Sequence, residues 1–151
     1  GINGVWAPID DLKAEEWDQT IRVNLRGTYL TLNLTVPHLK KRGGSVIVVS
    51  SINGNRTFST PGATAYAATK AAQVAMVQQL ALELGRHRIR INAVCPGAID
   101  TDLIDGLPGD TPKADRLTPA TEAGLVATVL ALPNQASLPE MIVNTRLESL
   151  I

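Results

Sequence analysis

The run Ser45-Val46-Ile47-Val48-Val49-Ser50 is apolar and β-branched at successive positions, with no polar alternation. A strand buried on both faces reads this way, and such strands belong to parallel sheets flanked by helices. A polar loop rich in Asn, Thr, Ser and Gly follows over 51–64, and from about Tyr66 to Gly85 the chain turns Ala-rich and helical in period. Apolar side chains of this helix fall on two faces, Val74, Val77, Ala81 and Leu84 on one and Ala72, Met76 and Leu80 on the other. A helix of that kind is expected to be covered twice, by the sheet and by something else. The segment from Arg88 to Cys95 predicts a second strand, ended sharply by Pro96-Gly97.

Upstream, Gly1 to Pro8 reads as loop, and from about Lys13 to Lys41 the positions Trp17, Ile21, Leu25, Thr28, Leu32 and Val36 recur at helical spacing. Asp10, Asp11, Glu15 and Glu16 gather at the start of this helix, and Lys40, Lys41 and Arg42 at its end, with Gly43 as the cap. Asn24, Gly27 and Pro37 lie inside it, and these poor helix formers predict a bend or backbone needed for something else. Downstream, 100–117 reads as loop, Thr118-Pro119 opens a helix to about Leu132, and Met141-Ile142-Val143 predicts a third strand. Alternating helix and strand implies a layered α/β domain with parallel strands and right-handed crossovers.

With 151 residues the chain is long enough for one domain and a sizeable core. Fourteen basic residues balance 14 acidic ones, so nothing favours nucleic acid or an acidic membrane surface as partner. Cys95 is the single cysteine, which rules out an internal disulfide and suits a reducing compartment; it reads as a buried small residue. His38 and His87 have no ligand spacing around them, so no metal is predicted. No apolar run reaches membrane-spanning length and no signal peptide is visible, which predicts a soluble, cytoplasmic protein.

Tyr66-Ala67-Ala68-Thr69-Lys70 places a phenol and an ammonium one turn apart on a helix face. At about 5 Å and an effective dielectric of about 20 their attraction is about 3 kcal/mol. Unless burial outweighs it, that lowers the phenol from its usual ~10 by about two units and readies it for acid/base work. In a parallel sheet such sites form at the C-terminal strand ends, where Ser50-Ser51, Tyr66 and Pro96-Gly97 converge.

Taken together, Val48-Val49-Ser50-Ser51, Tyr66 to Lys70 and Asn92-Ala93-Val94-Cys95-Pro96-Gly97 resemble the short-chain dehydrogenase/reductase family. Val23-Asn24-Leu25-Arg26-Gly27 resembles its Asn segment, and Gly1 the last residue of its Asn-Asn-Ala-Gly turn. The resemblance covers nearly the whole chain, with the motifs in family order. It implies a Rossmann-like three-layer α/β/α fold, represented over 1–151 by the C-terminal part of a single domain, with about three strands and three main helices. It also implies NAD or NADP as cofactor, a small-molecule carbonyl or alcohol substrate, and a homodimer or homotetramer formed through helices 13–41 and 66–85. By the same resemblance Tyr66 is the general acid and base and also a cofactor-binding residue, and Lys70 lowers its pKa and holds the cofactor ribose. Ser51 holds the substrate oxygen, with Ser50 and Asn53 as possible substitutes. Asn24 distorts its helix so that a freed backbone carbonyl holds a water in the relay to Lys70. Pro96, Gly97, Ala98, Ile99 and Thr101 lie under the nicotinamide, with Thr101 placed for its carboxamide. Arg56 and Phe58 lie beside the site as candidate substrate contacts, whereas Trp6 and Trp17 read as packing.

The chain departs from the family in three places. It holds no glycine-rich turn for the cofactor pyrophosphate, which predicts the second half of a longer dehydrogenase. The stretch from Thr101 to Thr118 is shorter than the family's helical lid, leaving the substrate class open. The tail lacks Asp-Gly-Gly and resembles the shorter-tailed members. Two other readings compete with an oxidoreductase: a non-catalytic assembly protein that kept the fold, and a related epimerase or dehydratase. Without further strands the sheet exposes an edge, which predicts that the chain expressed alone associates or aggregates.

Overall fold

Strand β1 (Gly44–Val49) is the strand read from the β-branched run, and it pairs in parallel with β2 (Ile89–Pro96) from Gly44 opposite Ile89 to Val49 opposite Val94. Strand β3 (Glu140–Val143) continues the sheet on the far side of β2, giving the order β1-β2-β3, all parallel. The structure, a computed structural model, describes residues 1–55, 61–105, 107 and 111–146. Central β2 is buried along almost its whole length, although Arg90 and Asn92 interrupt its apolar residues.

One long helical run precedes β1. It begins as α1 (Ala14–Thr20), widens into a π-turn over Ile21–Arg26, and resumes as α2 (Gly27–Leu39). The distortion suggested by Asn24 and Gly27 is therefore a π-turn, with the Gly27 amide donating to the Arg22 carbonyl five residues back. Gly43 ends the run with φ +81°, its amide donating to the Leu39 carbonyl at 2.8 Å, and a Cβ there would stand 2.6 Å from the Arg88 carbonyl oxygen. Only glycine fits that turn.

Helix α3 (Thr64–Leu84) connects β1 to β2, and α4 (Pro119–Ala131) precedes β3, capped as expected by the Thr118 hydroxyl, which accepts from the Thr121 amide. Leu32 of α2, Val74 and Val77 of α3, Val48 of β1 and Ile91, Ala93 and Cys95 of β2 form one buried cluster, so α2 and α3 cover the same sheet face. Arg90, which points to the other face of β2, donates from both guanidinium ends to the Val129 and Leu130 carbonyls of α4. Hence α4 covers the opposite face, completing three layers.

Successive crossovers that step the same way along a sheet but pass over opposite faces have opposite hands. The expectation of uniformly right-handed crossovers is therefore corrected: one of the two departs from that hand, and the long excursion between β2 and α4 is what carries the chain around the sheet edge. Of the two covers expected for α3 one is seen: Met76 and Leu80 of the second face, partly buried, pack against the same cluster as Val74 and Val77.

Candidate active site

The C-terminal end of β1 carries the site. Beyond Val49 the chain turns through Ser50 and Ser51 into a short 3-10 turn (Ile52–Gly54), and these residues pack directly on the first turns of α3. Ser50 and Ser51 look different ways. The Ser50 hydroxyl donates to the Lys70 carbonyl at 2.8 Å, a structural bond that ties strand end to helix. Ser51, also buried, accepts from the Asn53 amide at 3.2 Å, and its side chain lies near enough to the Tyr66 phenol to favour the phenolate. Of the two serines, it is Ser51 that faces the phenol.

Gly54 is what permits this approach. A Cβ there would stand 2.6 Å from the Lys70 carbonyl carbon and 2.8 Å from the Ala71 amide nitrogen, both backbone atoms that cannot swing away. Gly54→Ala is expected to lower stability by about 2 kcal/mol through overpacking. A thermal melt checks this, and an unchanged midpoint would contradict the tight seat of the turn on α3.

Tyr66 is half-buried and Lys70 7% exposed, with the Lys70 ammonium 5.5 Å from the centre of the Tyr66 ring. The ammonium donates to the Val49 carbonyl at 3.1 Å, so the lysine spans from α3 to the strand end. Burial pushes the phenol above its usual 10.0, and the Ser51 side chain only partly opposes it. The expected fall of Tyr66 toward neutrality is thus corrected. Lys70 lies over the ring face, and burial pulls its own pKa below 10.5, so burial works against the charged form of both groups.

Asn24, 1% exposed, joins three segments. Its side-chain oxygen accepts from the Ile2 amide and its nitrogen donates to the Ile2 carbonyl, both at 2.8 Å, as a peptide group of a neighbouring strand would. The same nitrogen reaches the Thr69 hydroxyl at 3.3 Å, and that hydroxyl donates to the Tyr66 carbonyl. The Asn24 carbonyl accepts from the Thr28 hydroxyl at 2.7 Å and from the Gln73 amide at 2.8 Å. Gln73 has no place in the sequence reading, and Thr28 enters it only as a position on the helix stripe of Trp17 to Val36. The available signal was Gln73's position on the helix stripe of Lys70 and Val77, where a polar residue is out of keeping with its neighbours.

Pro96 and Gly97 close β2 beside this cluster, with the Gly97 amide on the Val143 carbonyl at 2.7 Å. Ile99 bridges to Leu117, while Thr101 is exposed, its hydroxyl directed at the Ile99 carbonyl at 3.5 Å. The strand-end residues are thus brought together with Tyr66 and Lys70, and Thr101 stands apart on the loop. Asn53 lies in the short turn, and Arg56 and Phe58 fall outside the described residues. Cys95 is fully buried and burial raises its thiol pKa, in keeping with a packing residue. No group of three or more candidate metal ligands comes together among the described residues.

Whether these residues suit a nicotinamide nucleotide is tested by Gly1. A Cβ on it would meet the Asn24 side-chain oxygen at 3.0 Å and approach the Lys70 ammonium to 3.8 Å, so glycine backbone runs directly past a buried cation. Lys70 has three N–H donors, of which the Val49 carbonyl takes one, and such a group suits a vicinal diol. The free donors of Lys70 fit the ribose hydroxyls of such a cofactor.

The model of a family described as enoyl-(acyl carrier protein) reductase matches residues 2–132. An NAD-dependent oxidoreductase of Mycobacterium tuberculosis, itself uncharacterised, is 40% identical over 137 residues, covering 89% of this chain and 46% of the relative. The crystal structure of a 3-ketoacyl-ACP reductase from Sinorhizobium meliloti superposes with a TM-score of 0.84 at 54% identity, over 95% of this chain and 64% of that one. An alcohol dehydrogenase from Thermococcus sibiricus, complexed with 5-hydroxy-NADP, gives 0.84 at 28% identity over 99% and 62% of the two chains. The chain spans about half the length of the curated relatives it matches.

Proposed function

Because the chain belongs to the short-chain dehydrogenase/reductase family, we propose that it carries the proton-transfer machinery of an NAD(P)-dependent oxidoreductase interconverting a carbonyl and a secondary alcohol. The observation that carries this reading is the meeting of Ser51, Tyr66 and Lys70 at the end of β1, beside Pro96-Gly97 at the end of β2. When bound, the nicotinamide supplies or accepts the hydride.

Everything else falls to the chain's own residues. Ser51 holds the substrate oxygen beside the phenol. Tyr66, neutral at working pH, gives its proton to that oxygen as negative charge develops there, and takes it back when an alcohol is oxidised. Lys70 would hold the ribose hydroxyls, Pro96, Gly97 and Ile99 would line the nicotinamide, and Thr101, exposed on its loop here, would be the residue to meet the carboxamide. Asn24 fixes the segment Gly1-Ile2 against the π-turn and so sets the wall beside Lys70.

As assembly we propose a homodimer or homotetramer through α2 and α3, supported by exposed Tyr29, Leu30 and Leu34 on α2 and Leu82 on α3. We place the protein in the cytoplasm; no helix among the described residues is long and apolar enough to cross a membrane. The activity is tested with the full-length protein that contains this chain, following nicotinamide absorbance with NADH and NADPH against a panel of ketones and 3-oxoacyl thioesters. Turnover with at least one pair is expected, and none with either cofactor would sink the reading.

A further inference from the structure

The resemblance assigns the Asn24 carbonyl a water, the link by which Lys70 exchanges protons with solvent. In this chain two protein donors already meet that carbonyl, the Thr28 hydroxyl at 2.7 Å and the Gln73 amide at 2.8 Å, and the Gln73 amide also reaches Thr28 at 2.9 Å. A carbonyl oxygen has two lone pairs, and two donors take both. Gln73 is 4% exposed and stands one turn beyond Lys70 on α3. Gln73, Lys70, Asn24 and Thr28 together wall a cavity of about 360 Å³ between α2 and β1.

Packing alone does not explain a glutamine here. Its side-chain oxygen is buried without a partner among the described residues, a cost that an apolar side chain of the same size would avoid. What glutamine alone adds is the donor.

We propose that Gln73 is a positioning residue whose amide nitrogen stands at the Asn24 carbonyl in place of the relay water. It locks the π-turn at a fixed distance from Lys70 and takes the carbonyl lone pair that a water would otherwise use. The catalytic part of this inference rests on the oxidoreductase reading above.

Two variants of the full-length protein separate a donor from a filler. Gln73→Met keeps the volume and loses the donor; Gln73→Ala loses both but leaves room for water to satisfy the carbonyl. A filler predicts that Met outperforms Ala, because a cavity is costly; a donor predicts the reverse. We expect Gln73→Met to lower kcat about tenfold with KM little changed, the effect of a shifted π-turn, and to speed amide exchange at Ile2 and across 21–28. Gln73→Ala is expected to retain more of kcat, to protect those amides better than Met, and to shift the pH profile of kcat as water reaches Lys70. Met equal to or better than Ala in both turnover and protection overturns the proposal. If the wild-type protein turns over no carbonyl, the oxidoreductase reading fails separately, and the exchange order by itself still decides whether Gln73 acts as donor or filler.

Discussion

Tyr66→Phe is expected to lower turnover of the full-length protein by about a thousandfold, the middle of the range for a lost general acid, with cofactor affinity and melting temperature nearly unchanged. Removing the hydroxyl leaves the ring and helix α3 in place. The pH dependence carries a definite sign. Burial raises the Tyr66 pKa, so the phenol stays protonated through neutral pH and reduction of a carbonyl, which consumes its proton, holds until the pH passes above about 10. Oxidation of an alcohol needs the phenolate and climbs over the same range. Stability follows the same linkage: Tyr66's contribution is complete below the unfolded pKa near 10 and is lost as pH rises through the higher folded value. Lys70, whose folded pKa is lowered, acts with the opposite sign, so its cost to stability is relieved as pH rises from that value toward 10.5. Steady-state rates in both directions against pH, with cofactor titrations on the variant, check this. Undiminished turnover by Tyr66→Phe would remove the phenol from the mechanism.

Asn24→Ala is the substitution expected to cost the fold most. It removes both 2.8 Å bonds to Ile2 and the longer one to Thr69, and strands the Ile2 amide and carbonyl in a half-buried place. At about 1 kcal/mol for each good bond and more for groups left unpaired, the loss is about 3 kcal/mol. For a domain of this size that is a fall of about 10 °C in melting temperature. Asn24→Asp is expected to be no better, because a carboxylate oxygen then faces the Ile2 carbonyl where a donor stood. Calorimetry on the variants checks both; a midpoint for Asn24→Ala within a degree of wild type would mean that the side chain does not hold the Gly1-Ile2 segment.

The sequence makes legible those features that depend on composition along a line. Strand β1 shows itself because Val46 to Val49 allow no other reading, α3 because Tyr66 and Lys70 share a face, and the helix stop because Gly43 follows three cations. The bend at Asn24 is visible as a breach of helix propensity, but its form is not, since the donor that meets the Asn24 carbonyl from outside the helix, the Gln73 amide, stands 49 residues further along the chain. Gly54 reads as one more loop glycine until α3 lies against it. The sign of the Tyr66 shift escapes the sequence for a similar reason: spacing gives the attraction of Lys70, while burial of both groups depends on everything packed over them. The crossover hand escapes it because α4 and α3 look alike in period, and only Arg90's reach to Val129 and Leu130 tells which face α4 takes.

The excursion after β2 is tied at its base. The Leu117 amide donates to the Ala98 carbonyl at 2.9 Å, the Asp100 amide to the Leu117 carbonyl at 2.8 Å, and the Arg116 guanidinium grips Asp100, Asp105 and the Thr111 carbonyl. Inside such a clasp the connecting length is nearly free to vary, since doubling a loop costs only about 0.6 kcal/mol of closure entropy. The sheet and the proton-transfer residues thereby become insulated from what is grafted between Asp100 and Leu117. Insertion or replacement between these ties would leave the ends of the sheet strands where they are.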